Sequence, residues 1–333
     1  MTCCGAPYGS SSAQQPASFL HGTQKPVALS KKTASKNPTI VRHRRSEEYV
    51  GSACWGSNTI SVQIAGPRDE GATFIVLRTV DDHKPLVAIW HYTCHPNAVV
   101  PIDIISADYP GAVRVMLRQR FGEIPCVFAQ GFCGNIRPNV TPAPRKSSLR
   151  ERLARFVGIV ASGNLFPDVS AADWIAWSRS LANAADDIVK RDPAATAISP
   201  ETLEIGAASI PIDRFFSGSV PDKLLSSRII EIGDELEIVV LSAEPTVEWT
   251  GILDDAVPRA PKRLRLYAAY LGEVFGYLPT SAQVLEGGYE VEGFQPLFGL
   301  SGRFESTRIE PAVVSCVKSA FDDMEREANC PCV

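Results

Sequence analysis

The 333-residue sequence contains no run of about 18 consecutive apolar residues, so it offers no candidate for a membrane-spanning helix. It has no dense basic block either. Thirty-three Lys and Arg stand against 37 Asp and Glu, for a net charge of −4, a balance that argues against nucleic acid or an anionic membrane as the main partner. The opening residues Met1-Thr2-Cys3-Cys4-Gly5-Ala6-Pro7 lack the basic start and apolar stretch of a secretory leader. The nine cysteines form no C-x-x-C pair and no disulfide framework of a small domain; reduced thiols in a cytoplasmic setting are the simplest expectation. Histidine is scarce, with five residues, while 25 prolines and 24 glycines predict many turns and few long helices.

What is present is an ordinary globular composition, 45% apolar and 21% charged, long enough for one large domain or two at about 150 residues each. Residues 1–45 are rich in Ser, Gln, Ala, Pro and Lys and read as a loosely ordered arm, leaving 46–333 as the domain. Alternating or β-rich runs at Thr59–Ile64, Thr73–Arg78, Leu86–Trp90 and Cys126–Ala129 predict strands. Ala112–Arg120 has helical spacing, with Val113, Val115, Met116 and Leu117 apolar. Ser147–Lys190 reads as a helix pair broken near Gly163 and Pro167, followed by strands at Thr202–Ile212 and Glu237–Leu241 and a helix over Val247–Asp255. Strand, loop and helix in repeated order predict a layered α/β or α+β fold, a mixed β-sheet core covered by helices.

His95 follows an apolar strand and precedes Pro96, a strand-end position where ligands and catalytic groups gather, or else a plain turn position. His91 belongs to the same strand, whereas His21, His43 and His83 sit in polar, turn-rich surroundings. Glu244, just past the run Ile238–Leu241, is either a functional carboxylate or a cap for the following helix. Tyr277 and Tyr289 read equally as packing aromatics. Cys94 and Cys133 flank the same regions; a thiol beside His95 suits nucleophilic chemistry, while a buried thiol acting as a small hydrophobe is the commoner outcome.

Several segments in order sharpen these readings. His91-Tyr92-Thr93-Cys94-His95-Pro96, Ile105-Ser106-Ala107-Asp108-Tyr109-Pro110-Gly111, Phe128-Ala129-Gln130-Gly131-Phe132-Cys133-Gly134-Asn135-Ile136-Arg137-Pro138-Asn139, Ser242-Ala243-Glu244-Pro245-Thr246 and Gly276-Tyr277-Leu278-Pro279-Thr280 with Glu286-Gly287-Gly288-Tyr289-Glu290 together resemble the catalytic domain of the neutral/alkaline (non-lysosomal) ceramidase family. The resemblance implies one zinc ion held by two histidines, a glutamate and a tyrosine. Carried over by motif, His95, Glu244 and Tyr277 are metal ligands and Tyr289 is a second active-site tyrosine, with the two tyrosine roles exchangeable. Zinc suits such N and O donors, lowers the pKa of bound water to about 7 and polarises a scissile carbonyl. A tyrosine hydroxyl can then hydrogen-bond the developing oxyanion.

The sequence departs from the family pattern in two places. It has no Thr-His-Thr-His-Ser-Gly-Pro segment upstream of His95, which leaves the fourth protein ligand unidentified, with His21 or His43 as substitutes, and implies a catalytic domain incomplete at its amino-terminal end. Arg137 stands where the family has the serine of Gly-Asp-x-Ser-Pro-Asn; its guanidinium can grip a substrate carbonyl, carboxylate or phosphate, or pair with Asp103 or Asp108. The resemblance implies a zinc-dependent hydrolase of a small amphipathic N-acyl, sphingolipid-like amide. The alternative is a degenerate relative or fragment that binds a ligand or partner without turnover.

Overall fold

The computed structural model describes residues 17–24, 39–45, 60–63, 69–96, 105–140, 150, 153, 170–190, 196–198, 203–259 and 263–328, apart from positions 70, 80, 81, 83, 221, 234 and 235. In chain order the strands are β1 (Ala17–Gln24), β2 (Thr39–Arg45), β3 (Ile60–Gln63), β4 (Ala72–Thr79), β5 (Pro85–Tyr92), β6 (Cys126–Gln130), β7 (Ile136–Asn139), β8 (Thr196–Ile198), β9 (Leu203–Pro211), β10 (Phe216–Ser219), β11 (Leu224–Ile232), β12 (Leu236–Leu241), β13 (Glu244–Pro245), β14 (Leu264–Ala268), β15 (Tyr277–Leu278) and β16 (Ser301–Phe304). The helices are α1 (Asp108–Phe121), α2 (Ala171–Val189), α3 (Trp249–Ala256), α4 (Ser281–Glu286) and α5 (Ser306–Ala328).

Two sheets carry the architecture. The first runs in the order β6-β5-β4-β1-β8, and the second in the order β14-β12-β11-β9. Each contains one parallel pair, β5 with β6 and β12 with β14; their other neighbours are antiparallel. In the first sheet α1 supplies the crossover between the parallel strands, which a hairpin cannot do.

Side-chain alternation explains how these sheets stack. From β4 and β5, Phe74, Val76, Ala88, Trp90 and Tyr92 turn to one face and pack with Tyr109, Val113 and Leu117 of α1 and Trp177 and Leu181 of α2. Ile75, Leu77 and Ile89 turn to the other face, where they meet Leu236, Ile238, Leu264 and Leu266 of the second sheet. The far face of that sheet, with Ile229, Val239, Leu241 and Tyr267, packs with Val313, Val317, Ala320 and Met324 of α5. The outcome is an α+β stack of helices, sheet, sheet and helix, and each element's period-2 or 3.6-residue pattern decides which layer it joins.

Several expectations change in detail. On α1, Val113, Met116 and Leu117 are buried as expected, but Val115 is 55% exposed because a residue two positions from Val113 lies on the opposite side of a helix. Most of 147–169 lies outside the described residues, while the second helix of the expected pair is α2, started by a capping box of Ser170 with Asp173. The expectation of few long helices fails at α5, a 23-residue helix that keeps Pro311 inside it. Strands β1 and β2 fall within the stretch whose composition reads as an arm; β1 pairs with β4 and β8, and β2 with β3 and β7. Pairing with distant partners leaves no mark in local composition. Among the described residues, no helix is long and apolar enough to cross a membrane.

Candidate metal centre

The parallel strands of both sheets release the chain into one place. His95 follows the end of β5, Cys133 the end of β6, Glu244 the end of β12 and Tyr270 the end of β14, each two or three residues past its strand. Carboxyl ends of parallel strands are where α/β folds gather ligand-binding groups. Backbone hydrogen bonds lace these loops together: Gly131 N–H donates to the Tyr92 carbonyl (3.0 Å), Ala269 to Gln130 (2.8 Å), Tyr270 to Ala243 (3.2 Å) and Gly134 to Pro245 (2.8 Å). A side chain at Gly134 would place its Cβ 2.8 Å from the Glu244 carbonyl oxygen, so glycine is what lets the Cys133 loop approach Glu244.

Each segment is further pinned. The hydroxyl of buried Tyr109 donates to the Cys94 carbonyl, as does Gln130 Nε2 at 3.0 Å, which holds the backbone next to His95. Asn135 ties the Cys133 loop to the Glu244 segment: its Nδ2 donates to Glu248 Oε2 (2.8 Å), and its Oδ1 accepts from Val247 N–H (2.9 Å). Glu244 lies directly opposite Tyr277 in the parallel β13–β15 pair, with Glu244 N–H donating to the Gly276 carbonyl at 2.9 Å. Gly276 has φ 128°, and a Cβ there would meet the Phe294 ring at 2.2 Å, so this turn requires glycine.

Cys133 Sγ lies 3.3 Å from His95 Nδ1 and 3.5 Å from the Tyr270 hydroxyl, and His95 Nε2 lies 3.7 Å from Glu244 Oε1. One ligand atom each from His95, Cys133 and Glu244 fall within 4.8 Å of one another, the only such group of three among the described residues. Glu244 Oε1 is buried and accepts no hydrogen bond. Burial pushes the Glu244 carboxyl up to about 7; hydrogen bonds from Tyr277 and Tyr270 oppose the rise, and the charge of Glu290 adds to it. Burial first and the Glu244 charge next also raise the Cys133 thiol and the Tyr277 and Tyr289 hydroxyls; for Tyr270 the charge of Cys133 stands between them. Weak acids therefore face one another, each disfavouring ionisation of its neighbours, around a buried oxygen that lacks a donor. A cation is what such a donor set fits.

No protein-family model and no curated protein sequence matches the chain. Solved structures do: the neutral ceramidase from Pseudomonas aeruginosa superposes with a TM-score of 0.60 at 14% identity, over 94% of this chain and 53% of that one. A ceramidase complexed with C2 gives 0.58 at 13% identity, over 94% of this chain and 54% of that one. The fold is ceramidase-like. The chain spans about half the length of these ceramidase structures.

Within this ceramidase-like fold, the residues singled out in the sequence have different fates. His95, Glu244 and Tyr277 come together, and Tyr289, on the π-turn Tyr289–Gly293, sets its ring edge-on to Tyr277 at 5.6 Å between centroids. Arg137 is placed by backbone on β7 opposite Val41; its side chain lies outside the described residues, as do those of His21 and His43, and as does His83 entirely. His91 is buried, with Nε2 2.8 Å from the Tyr267 carbonyl oxygen, and burial lowers its pKa. Cys133 is fully buried, but its neighbours are an imidazole, a phenol and a carboxylate rather than the apolar surroundings of a packing thiol. Tyr270 escapes sequence reasoning altogether. Its φ of 64° is left-handed, an uncommon state for a bulky residue and one found at functional sites. The ring is 37% exposed while its hydroxyl end turns inward to Cys133.

Proposed function

We propose that the protein is a metal-dependent amide hydrolase, with zinc held by residues that include His95, Glu244 and Tyr277, acting on a small amphipathic N-acyl substrate of the sphingolipid type. The observation that carries this reading is the convergence of His95 and Glu244, with an orphaned carboxylate oxygen, at the strand ends of a ceramidase-like fold. Bound zinc would lower the pKa of a coordinated water to about 7 and polarise the scissile carbonyl.

The chain's own residues supply the rest. Tyr277 and Tyr270 hydrogen-bond the Glu244 carboxylate and keep it oriented. Tyr289, whose ring meets Tyr277 edge-on, would hydrogen-bond the oxygen on which negative charge develops, and Arg137 would grip a polar group of the substrate. Leu285 and Leu297, 79% and 76% exposed, flank the Tyr289 segment in sequence and suit an apolar acyl chain. A second reading, ligand binding without turnover, draws on Arg137 standing where the resembling family carries serine.

Metal content and hydrolysis of an N-acyl sphingoid amide test both readings. Near one zinc per chain by inductively coupled plasma mass spectrometry, lost in Glu244→Ala, with hydrolysis abolished by a chelator and regained with zinc, is the expected result. Zinc without hydrolysis favours the binding reading, and zinc absent from the wild-type chain overturns the metal-dependent reading and leaves ligand binding without turnover.

A further inference from the structure

We propose that Cys133 is itself a ligand of the metal ion, so that the centre is a sulfur, nitrogen and oxygen set of Cys133, His95 and Glu244. This rests on the metal-dependent reading above and goes beyond it in naming the protein ligand that the sequence pattern leaves unidentified.

Geometry comes first. A tetrahedral zinc ion, with bonds of about 2.3 Å to sulfur and 2.0–2.1 Å to nitrogen, holds its ligand atoms roughly 3.3–3.6 Å apart. Cys133 Sγ lies 3.3 Å from His95 Nδ1, whereas Glu244 Oε1 lies 3.7 Å from the other ring nitrogen, Nε2, so a single ion takes one of the two nitrogens and the ligand beside the other must shift toward it. One ligand atom from each of the three residues lies within 4.8 Å of the others, wider than the tetrahedral spacing, so an ion would draw the three side chains together by about an ångström.

Burial supplies a second, independent observation. The Glu244 side chain is 9% exposed, and its Oε1 has no hydrogen-bond donor. A buried carboxylate oxygen in that state is relieved by a proton or by a bound cation. Cys133 sits beside this oxygen because Gly134 leaves no Cβ between the loops, and Asn135 locks the loop in place from the other side.

The donor set also names the class of metal. Thiolate with imidazole and carboxylate suits zinc, and cobalt as its spectroscopic stand-in, over magnesium or calcium, which prefer oxygen ligands. On binding, the Cys133 S–H bond breaks and an S–metal bond forms, with the proton passing to the buffer. No redox step is involved.

Cobalt(II) substitution of the full chain is the test. The expected spectrum has an intense thiolate-to-cobalt charge-transfer band in the near ultraviolet together with visible d–d bands. In Cys133→Ser, a near-isosteric change checked by circular dichroism, the charge-transfer band disappears, weaker d–d bands persist, and zinc affinity falls about tenfold or more, the loss typical of disturbing even an outer-shell group. In Cys133→His the metal returns without the band. Cobalt bound with no charge-transfer band overturns the ligand role of Cys133 while leaving the metal reading intact. Failure to bind cobalt or zinc at all overturns the underlying reading.

Discussion

Two buried glutamates seven positions apart, one on β12 of the second sheet and one just past that strand on β13, are treated in opposite ways. Glu237, on β12, is 3% exposed and is met by the guanidinium of Arg265 on β14, whose Nε donates to it. Arg265 NH1 and NH2 donate to the carbonyls of Val257 (2.7 Å) and Pro258 (3.2 Å), and the guanidinium lies over the Phe321 ring at 5.6 Å. Glu244, just past the same strand, is buried nearly as deeply but, among the described residues, has one oxygen without a donor and no Arg or Lys ion pair. One carboxylate carries its counter-charge within the fold; the other faces His95, Cys133 and three tyrosines. A buried charge is tolerated when it is paired or bound to metal, so the contrast separates a carboxylate paired within the fold from one whose counter-charge, on the function proposed above, is a bound cation.

The most disruptive way to probe this contrast is to remove the internal counter-charge. Arg265→Ala leaves Glu237 buried and uncompensated and should lower stability by about 3–5 kcal/mol, seen as a fall in the denaturant midpoint at unchanged slope. Glu244→Gln in the metal-free protein should cost far less, because it removes a charge whose burial is unfavourable and which has no internal Arg or Lys partner among the described residues.

Next in size is a pH dependence confined to Glu244. Its folded-state pKa of about 7 lies above the ordinary value of 4.5, so the native state holds the proton longer than the unfolded state. The contribution of Glu244 to the stability of the chelator-treated protein is therefore fully present below about pH 4.5 and is lost as pH rises through 7. The drop is about 3 kcal/mol at 1.36 kcal/mol per unit. Denaturation curves across this window should show the slope in wild type and its loss in Glu244→Gln; an unchanged slope in the variant assigns the titration elsewhere.

A smaller effect comes from the glycine that permits the loops to meet. Gly134→Ala forces a Cβ against the Glu244 and Pro245 carbonyls and should lower stability by about 1–3 kcal/mol while weakening zinc binding, measured by competition with a chromogenic chelator. Ser170→Ala is the mildest change. It removes the capping box of α2, far in sequence from any ligating group, and should lower stability by about 1 kcal/mol with zinc affinity unaltered. A matching loss of zinc affinity in both variants would make the Gly134 result a general effect of instability.

His95 and Glu244 were legible in the sequence because each stands just beyond an apolar strand and within a motif of the resembling family. Cys133 stands at the same offset beyond β6, yet local sequence cannot distinguish a ligating thiol from a packing one; only the parallel pairing of β5 with β6 sets it beside His95. Tyr270 was hidden for a related reason. Its place depends on β12 and β14 pairing in parallel, and tyrosine gives no hint of a left-handed backbone. Among the larger elements, β9, β12 and α3 follow from local pattern. The buried positions Ile309, Val313, Val317, Ala320 and Met324 of α5 also keep helical spacing, but Pro311 and the polar residues between them obscure it.

The two sheets meet along a seam marked by the His91 ring against the Tyr267 carbonyl and by the Ala269 to Gln130 hydrogen bond. His95 and Cys133 hang from one side of that seam, Glu244 and Tyr270 from the other. An ion gripped by both sides would act as a removable rivet: the sheets could not part without releasing it, and its release would free them to part. Amide protons at the carboxyl ends of β5 and β12, far apart along the chain, would then exchange with solvent in step, slowed together when the rivet is in place.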